Sequence, residues 1–377
     1  MKRLVLDVET TTHNKGAWSD ERNHCVLVGT YDGTDVRIFD FEYGSMVLTR
    51  LREHLREYAL LVGHNLKFDL HWLDNLDVDY SHMKVRCTAN TEFILGRQLT
   101  PYPSLDDCAS KRFNETKIDR IKQYWDEGIQ TNDIPRNELC DYLEQDLRLT
   151  WKLDDHQQAE VKPHQRTLIS LVNQDMLGLK EMERNGLRYD RQASLNHASK
   201  LEEKIAEIQS KLALHHECPC FNWASNDHLS ALLYGGKISE FYYEQSEYQY
   251  KSGQRKGQYR LDKKVRDYMF PRIYEPLKGT ELAKEGYWST DEDTLLSLKG
   301  RNKEMLMGIL EMKKLQKDVS TYLRGLPKRQ DEGNYFDKNF IFGNFNQTQA
   351  QTGRLSSSKP NLQNLSDNSL THFVSRY

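Results

Sequence analysis

Apolar positions change their period along this chain, and the change divides it into regions. At the start, Leu4-Val5-Leu6-Asp7-Val8 is a short apolar run of the kind that forms a buried strand. Cys25 to Thr30 and Val36 to Phe39 are rich in β-formers, and Asp32-Gly33 between them is a turn signal. Met46 to Tyr58 places Val47, Leu48, Leu51 and Leu55 at helical spacing. Leu60 to Gly63 predicts a short buried strand, and His64-Asn65-Leu66-Lys67-Phe68-Asp69 opens a helix that runs through Leu73. Pro135 to Leu153 predicts one helix, with Asn132 or Asp133 as its cap and Pro135 suited to its first turn. Alternating strands and helices imply an α/β sheet with its active groups at strand ends, over residues 1–160.

From residue 161 to 330 the strand signals stop and a mainly helical domain is expected. Helices are predicted over Gln165 to Asn185, closed by Gly186, and over Arg191 to His216. The second has few apolar positions for its length and is expected to stand off the body, half solvated. Shorter helices follow from Ser225 to Leu233 and from Ser289 or Thr290, then a long one from Glu304 to Leu323. Between them, Tyr248 to Arg266 is expected to be an irregular basic insertion. It carries Lys251, Arg255, Lys256, Arg260, Lys263, Lys264 and Arg266 against Asp262. Such a stretch suits phosphate-backbone contact, and by itself it suits a solvated loop. In residues 331–377, Phe340 to Phe345 alternates like a strand and leads into a segment of small hydrogen-bonding residues.

Composition narrows the classes. Of the 377 residues 29% are charged, a polar composition, but 10% are aromatic, which argues against a disordered chain. No apolar run approaches the roughly 18 residues of a membrane span, so no membrane contact is expected. Met1-Lys2-Arg3 leads straight into a strand and acidic residues, unlike a signal peptide. The six cysteines are scattered without a framework and suit reduced thiols in a cytoplasmic setting. Net charge is −3, so any nucleic-acid contact must come from local basic patches. His215, His216, Cys218 and Cys220 are compactly spaced and lack a distant second ligand pair, which argues against zinc.

The candidate chemistry begins with Asp7 and Glu9. Residues i and i+2 of a strand point to one face, so the two carboxylates project side by side. Like charges this close repel unless a cation lies between them. Taken alone, the pair suits metal ligands and solvent-facing strand-end charges equally. Tyr142 and Asp146, four residues apart, share one face of the predicted helix. In isolation they suit an ordinary surface Asp beside a half-buried Tyr.

Asp7-x-Glu9-Thr10, Asn65-x-x-x-Asp69 and Tyr142-x-x-x-Asp146, in this order, resemble the three motifs of the DEDD 3′-5′ exonucleases. The Tyr four residues before the last Asp is similar to the DEDDy branch. The resemblance implies a ribonuclease H-like fold, a mixed sheet flanked by helices. It implies two Mg²⁺ or Mn²⁺ ions held by Asp7, Glu9, Asp69 and Asp146, with Asp7 bridging both. It also implies that Tyr142 orients the attacking water, and that Thr10, Asn65 and Lys67 lie near the 3′ end of a DNA strand.

Further on, Thr352-Gly353-Arg354-Leu355-Ser356-Ser357 and Pro360-Asn361-Leu362-Gln363-Asn364 resemble the segment that introduces the palm of family A DNA polymerases. Phe221-Asn222-x-x-Ser225, Leu229-x-x-Leu232-Leu233-Tyr234-Gly235, Ser289-Thr290-Asp291 and Ser320-Thr321-Tyr322-Leu323 resemble that family's thumb. Arg354 and Gln363 then map near primer and template. The resemblance implies an exonuclease domain, a helical DNA-binding thumb and an incomplete palm. The palm carboxylates and the fingers helix of the family lie past this point. The expectation is a proofreading exonuclease acting on single-stranded 3′ ends and primer-template DNA, with synthesis supplied by a separate palm-fingers polypeptide. A non-catalytic DNA-binding scaffold is the alternative. The compact motifs and the start at Met1 suggest a bacteriophage source.

Overall fold

A computed structural model describes residues 2–44, 46–115, 120–213, 218–252, 254–299, 302–333 and 335–375. The chain forms two compact units, Met1–Arg191 with Leu326–Tyr377, and Gln192–Gly325.

The first unit is built on a five-stranded sheet of β1 (Arg3–Thr10), β2 (Cys25–Tyr31), β3 (Val36–Asp40), β4 (Leu60–Gly63) and β5 (Lys84–Cys87), in the order β3-β2-β1-β4-β5. β1 pairs antiparallel with β2 and parallel with β4, so it is the central strand and both of its faces are covered. That accounts for the unbroken apolar start of β1. Leu4, Leu6 and Val8 pack into one core with α1 (Met46–Leu55) and α2 (Lys67–Asn75). Val5 packs into another with Leu139, Leu143 and Leu147 of α6 (Arg136–Glu160). The first-unit elements expected from periodicity are all present, with α1 and α2 shifted by a few residues at their ends and α6 extended past Leu153. β5 and the helices α3 (Thr88–Leu95), α4 (Leu105–Phe113) and α5 (Arg120–Asp126) were not anticipated. β5 is only four residues long and charged at two of them, too little signal for a periodic pattern.

The helix α7 (Pro163–Asn185) belongs to this unit, with Met176 in the same core as Leu4 and Leu6. The returning C-terminal stretch also belongs here. Its strand β9 (Phe340–Ile341) pairs with β6 (Leu187–Arg188), and β10 (Asn344–Asn346) pairs with β11 (Ser356–Ser358). The expected single strand Phe340 to Phe345 is broken at Gly343, where a Cβ would lie 2.6 Å from Leu362 Cδ1.

In the second unit, α8 (Arg191–Leu212), α9 (Asn226–Tyr234), α10 (Glu292–Ser297) and α11 (Lys303–Lys317), with a π-helical turn at Asp318–Leu323 and α12 (Gly325–Glu332) at its boundary, are the described helices. α8 does not stand off: Ala198, Ile205 and Leu212 are buried in one core with Ile309 and Met312. Ser225 caps α9 as expected, whereas Asp291, not Ser289 or Thr290, caps α10.

The irregular insertion is a correction. Gly236–Gln249 (β7) and Tyr259–Phe270 (β8) form a long antiparallel ribbon, with Lys263, Lys264 and Arg266 inside a strand. Both faces of most of the ribbon meet solvent, so no alternation of apolar and polar residues marks it. The tyrosines at 242, 243, 248, 250 and 259 were the remaining β signal.

Candidate active site

The C-terminal half of β1 carries Asp7 and Glu9 on its α6 face, as the period of two requires. Asp7 pairs in register with Gly29 of β2. A Cβ at Gly29 would lie 2.7–2.9 Å from Leu143 and Leu147 of α6. The missing side chain lets α6 approach the sheet closely, and that brings the Tyr142–Asp146 face of α6 to the carboxylates of β1. The far half of α6 is pinned by Asp154, whose fully buried carboxylate accepts from Arg3 at 2.6 Å and Arg86 at 3.0 Å. Arg3 also lies over the Trp151 ring at 3.5 Å.

Asp69 reaches the same place from the other side of the sheet. Asn65 adopts φ +58, a left-handed conformation that Asn tolerates, and turns the chain from β4 into α2. Asp69 then sits in the first turn of α2 and accepts the Val8 backbone N–H at 3.0 Å. Glu9, Asp69 and Asp146 are buried, at 7%, 1% and 5% exposure.

These groups act on one another electrostatically. Burial, then the charge of Asp7 and, more weakly, of Glu9, pushes Asp69 well above the carboxylate range, against the lowering effect of the Val8 N–H. Tyr142 is driven far above the ordinary phenol range by burial, then by Asp146, Glu9 and Asp7. Tyr142 therefore stays protonated at neutral pH and hydrogen-bonds Asp146. Burial first, then Glu9 and Asp69, also pushes up the thiol of Cys25 beside them.

The donor set is four carboxylates, hard oxygen ligands of the type Mg²⁺ and Mn²⁺ prefer. Its mutual repulsion is the kind a divalent cation relieves. As the side chains stand, no three His, Cys, Asp or Glu among the described residues converge closely enough to hold an ion.

The expected DNA contacts divide. Asn65, Arg354 and Gln363 are exposed, as are Lys251, Arg255 and Lys256 between β7 and β8 and Arg260 within β8, where Arg260 pairs with Asp262 at 2.6 Å. Thr10 is buried and its hydroxyl donates to the Thr11 carbonyl at 3.0 Å. Lys67 is not solvated: it pairs with Glu183 at 2.5 Å and donates to the Phe345 carbonyl. His215 and His216 lie outside the described residues, and the sulfurs of Cys218 and Cys220 are 3.3 Å apart.

Three residues without a motif signal shape the site. Gly29 sets the α6 approach. Trp125 of α5 meets the Tyr142 ring edge-on, with centroids 6.1 Å apart, and is itself anchored by Thr131. Gln130 accepts from both the backbone N–H and the hydroxyl of Thr12, fixing the chain after β1. A Trp in a short amphipathic segment before α6 was the available clue for Trp125.

Buried carboxylates at the end of a central strand, faced by a tyrosine on a packed helix, define a candidate nuclease centre within an α/β domain. Residues 1–162 match the family model described as 3′-5′ exonuclease, and residues 242–373 match that of DNA polymerase family A. The chain thus resembles a 3′-5′ exonuclease over its N-terminal part and a family A DNA polymerase over a C-terminal segment. Among similar proteins, DNA polymerase I of Synechocystis sp. is 39% identical over 97 residues, 26% of this chain and 9% of that protein. DNA polymerase DpoZ of Salmonella phage PMBT28 is 34% identical over 71 residues, 19% of this chain and 11% of that one. The fold resembles the POL domain of Pol1 from M. smegmatis, solved in complex with DNA primer-template and dNTP. The TM-score is 0.68 at 18% identity, over 99% of this chain and 55% of that one. Among the described residues no helix is long and apolar enough to cross a membrane.

Proposed function

We propose that the chain removes nucleotides from the 3′ ends of DNA by hydrolysis, with the β1–α2–α6 centre as its active site. The observation that carries this reading is the placement of Asp7 and Glu9 on β1, Asp69 on α2 and Asp146 on α6 around one strand end, with Asp7 and Glu9 acting on both Asp69 and Tyr142, within a region that matches the 3′-5′ exonuclease family. Asp7, Glu9 and Asp146 would hold one divalent cation, and Asp7 with Asp69 a second. Bound there, two such ions lower the pKa of a water and offset charge on the attacking and leaving oxygens.

The protein's own groups set the geometry. Asp69 is held by the Val8 N–H, so its carboxylate has one fixed edge. Tyr142 keeps its proton, so it positions a water by hydrogen bonding and does not abstract a proton. Trp125 limits the swing of the Tyr142 ring. The exposed cations Lys251, Arg255 and Lys256 between β7 and β8, with Arg354 and Gln363, would contact the phosphate backbone. The polymerase-family segment and the DNA in the structural neighbour support DNA as the substrate.

The test is hydrolysis of 5′-labelled single-stranded DNA by the purified chain with Mg²⁺ or Mn²⁺. The expected result is a ladder shortening from the 3′ end, lost in Asp7→Ala. Intact DNA with either ion would overturn the enzyme reading and leave a DNA-binding scaffold.

A further inference from the structure

Behind Asp69 lies a buried polar node that neither the motifs nor the proposed chemistry uses. Glu183, near the end of α7, has a side chain 2% exposed. Its Oε1 accepts from Lys67 Nζ at 2.5 Å and from the Phe345 N–H at 2.6 Å; its Oε2 is 2.7 Å from His71 Nε2. Lys67 also donates to the Phe345 carbonyl, so the peptide group on each side of Phe345 is held. His71 stacks flat on Trp18 at 4.6 Å, and its Nδ1 is buried without a hydrogen-bond partner. Imidazole thus acts as a neutral donor through Nε2, and Lys67 is the cation that balances Glu183.

Lys67 and His71 are four residues apart on α2 and share one face. Asp69 lies midway, about 200° around the helix from Lys67. The node therefore grips the back of the helix whose front presents Asp69 to β1. α7 adds two more holds on α2: Lys180 to Asp74 at 2.6 Å, and Arg184 to the His71 carbonyl at 3.1 Å and Asn75 at 3.0 Å. Side chains stand about 5 Å from a helix axis, so a 10° rotation of α2 moves the Asp69 carboxylate by about 1 Å. A displacement of that size can cost about 100-fold in rate. A buried ion pair is a poor source of stability compared with apolar packing but a good device for fixing one arrangement.

We propose that Glu183 is a positioning residue for the exonuclease centre. It sets the rotation of α2 through Lys67 and His71, and it makes β10, within the polymerase-family segment, a support of Asp69. This inference rests on the exonuclease reading. It makes exonuclease metal binding depend on α7 and on a strand more than 270 residues from Asp69 in sequence.

The experiment compares the full chain, Glu183→Gln and Lys67→Met. Mn²⁺ binding is followed by electron paramagnetic resonance, single-turnover hydrolysis of 5′-labelled single-stranded DNA by product length, and unfolding by heat. Glu183→Gln keeps the size and an acceptor for the Phe345 N–H but removes the charge. The expected result is a 10- to 100-fold loss of Mn²⁺ affinity and a comparable loss of rate at sub-saturating Mn²⁺, partly recovered by excess Mn²⁺. Lys67→Met should move the same quantities in the same direction, and it carries the test should Glu183→Gln fail to fold. A lower melting temperature with unchanged Mn²⁺ affinity and rate in both variants overturns the proposal and leaves a purely structural ion pair. A native chain that neither binds Mn²⁺ nor cleaves DNA defeats the exonuclease reading, and this inference falls with it.

Discussion

The central strand of the first unit and the ribbon of the second are both β-structure, yet they carry opposite kinds of chemistry. β1 is covered on both faces, and its acidic residues sit among buried groups that amplify their repulsion. The β7–β8 ribbon exposes Phe241, Tyr243, Leu261 and Met269 along one face, and its cations lie in water. In the first setting a charge is costly and so must be organised; in the second it is cheap and remains interchangeable. Substitutions at the sheet should therefore change chemistry or stability sharply. Those on the ribbon should be tolerated singly and act only through their sum.

The largest effect on folding is expected where the sheet's charge is most deeply buried. Asp154→Ala leaves Arg86 without its carboxylate partner and Arg3 with only the exposed Asp155, and should cost about 3 kcal/mol, measured by chemical denaturation. A cost near zero would show that the pinning of α6 is not electrostatic. Tyr142→Phe removes the hydroxyl that is proposed to position water. Single-turnover hydrolysis should fall about 10- to 100-fold while the melting temperature holds, and an unchanged rate would remove Tyr142 from the mechanism.

Asp69→Asn should stabilise the protein in metal-free buffer. The folded state holds the Asp69 proton more tightly than the unfolded chain, so this residue's contribution is present at low pH and is lost as pH rises through its raised value. Asparagine stays neutral throughout. The variant should match the native protein near pH 3 and gain at least about 1 kcal/mol by pH 8, with chelator present. A gain that shrinks with rising pH contradicts the assigned repulsion.

Smallest is the ribbon. Replacing Lys251, Arg255 and Lys256 together with alanine should change stability by less than about 0.5 kcal/mol. The slope of log affinity for DNA against log salt should fall by about 2 to 3. An unaltered slope would place the DNA elsewhere.

The same contrast explains what was legible in the sequence. Strand and helix periods put Asp7 with Glu9, and Tyr142 with Asp146, on one face each but left both pairs open to a surface reading; they stand out only as an ordered set with Asp69 that resembles the exonuclease motifs. The apolar runs of β1 and β4 and the spacing of α6 read clearly because a doubly covered sheet forces them to be apolar. The ribbon was read as irregular because solvent on both faces removes the alternation that marks a strand. Gly29, Trp125 and Glu183 were silent for another reason. Each acts through a tertiary approach: α6 onto β2, α5 onto Tyr142, α7 and β10 onto α2. Thr10 and Lys67 carried the expected motif identities, yet their side chains are held by internal hydrogen bonds that only packing reveals.

The account stands on the carboxylates of β1, α2 and α6 acting as metal ligands. The most direct measurement is a Mn²⁺ titration of the purified chain followed by electron paramagnetic resonance, with Asp7→Ala beside it. About two ions per native chain, both weakened or lost in Asp7→Ala, is the predicted result. Binding of no ion, or binding that Asp7→Ala leaves untouched, would contradict it.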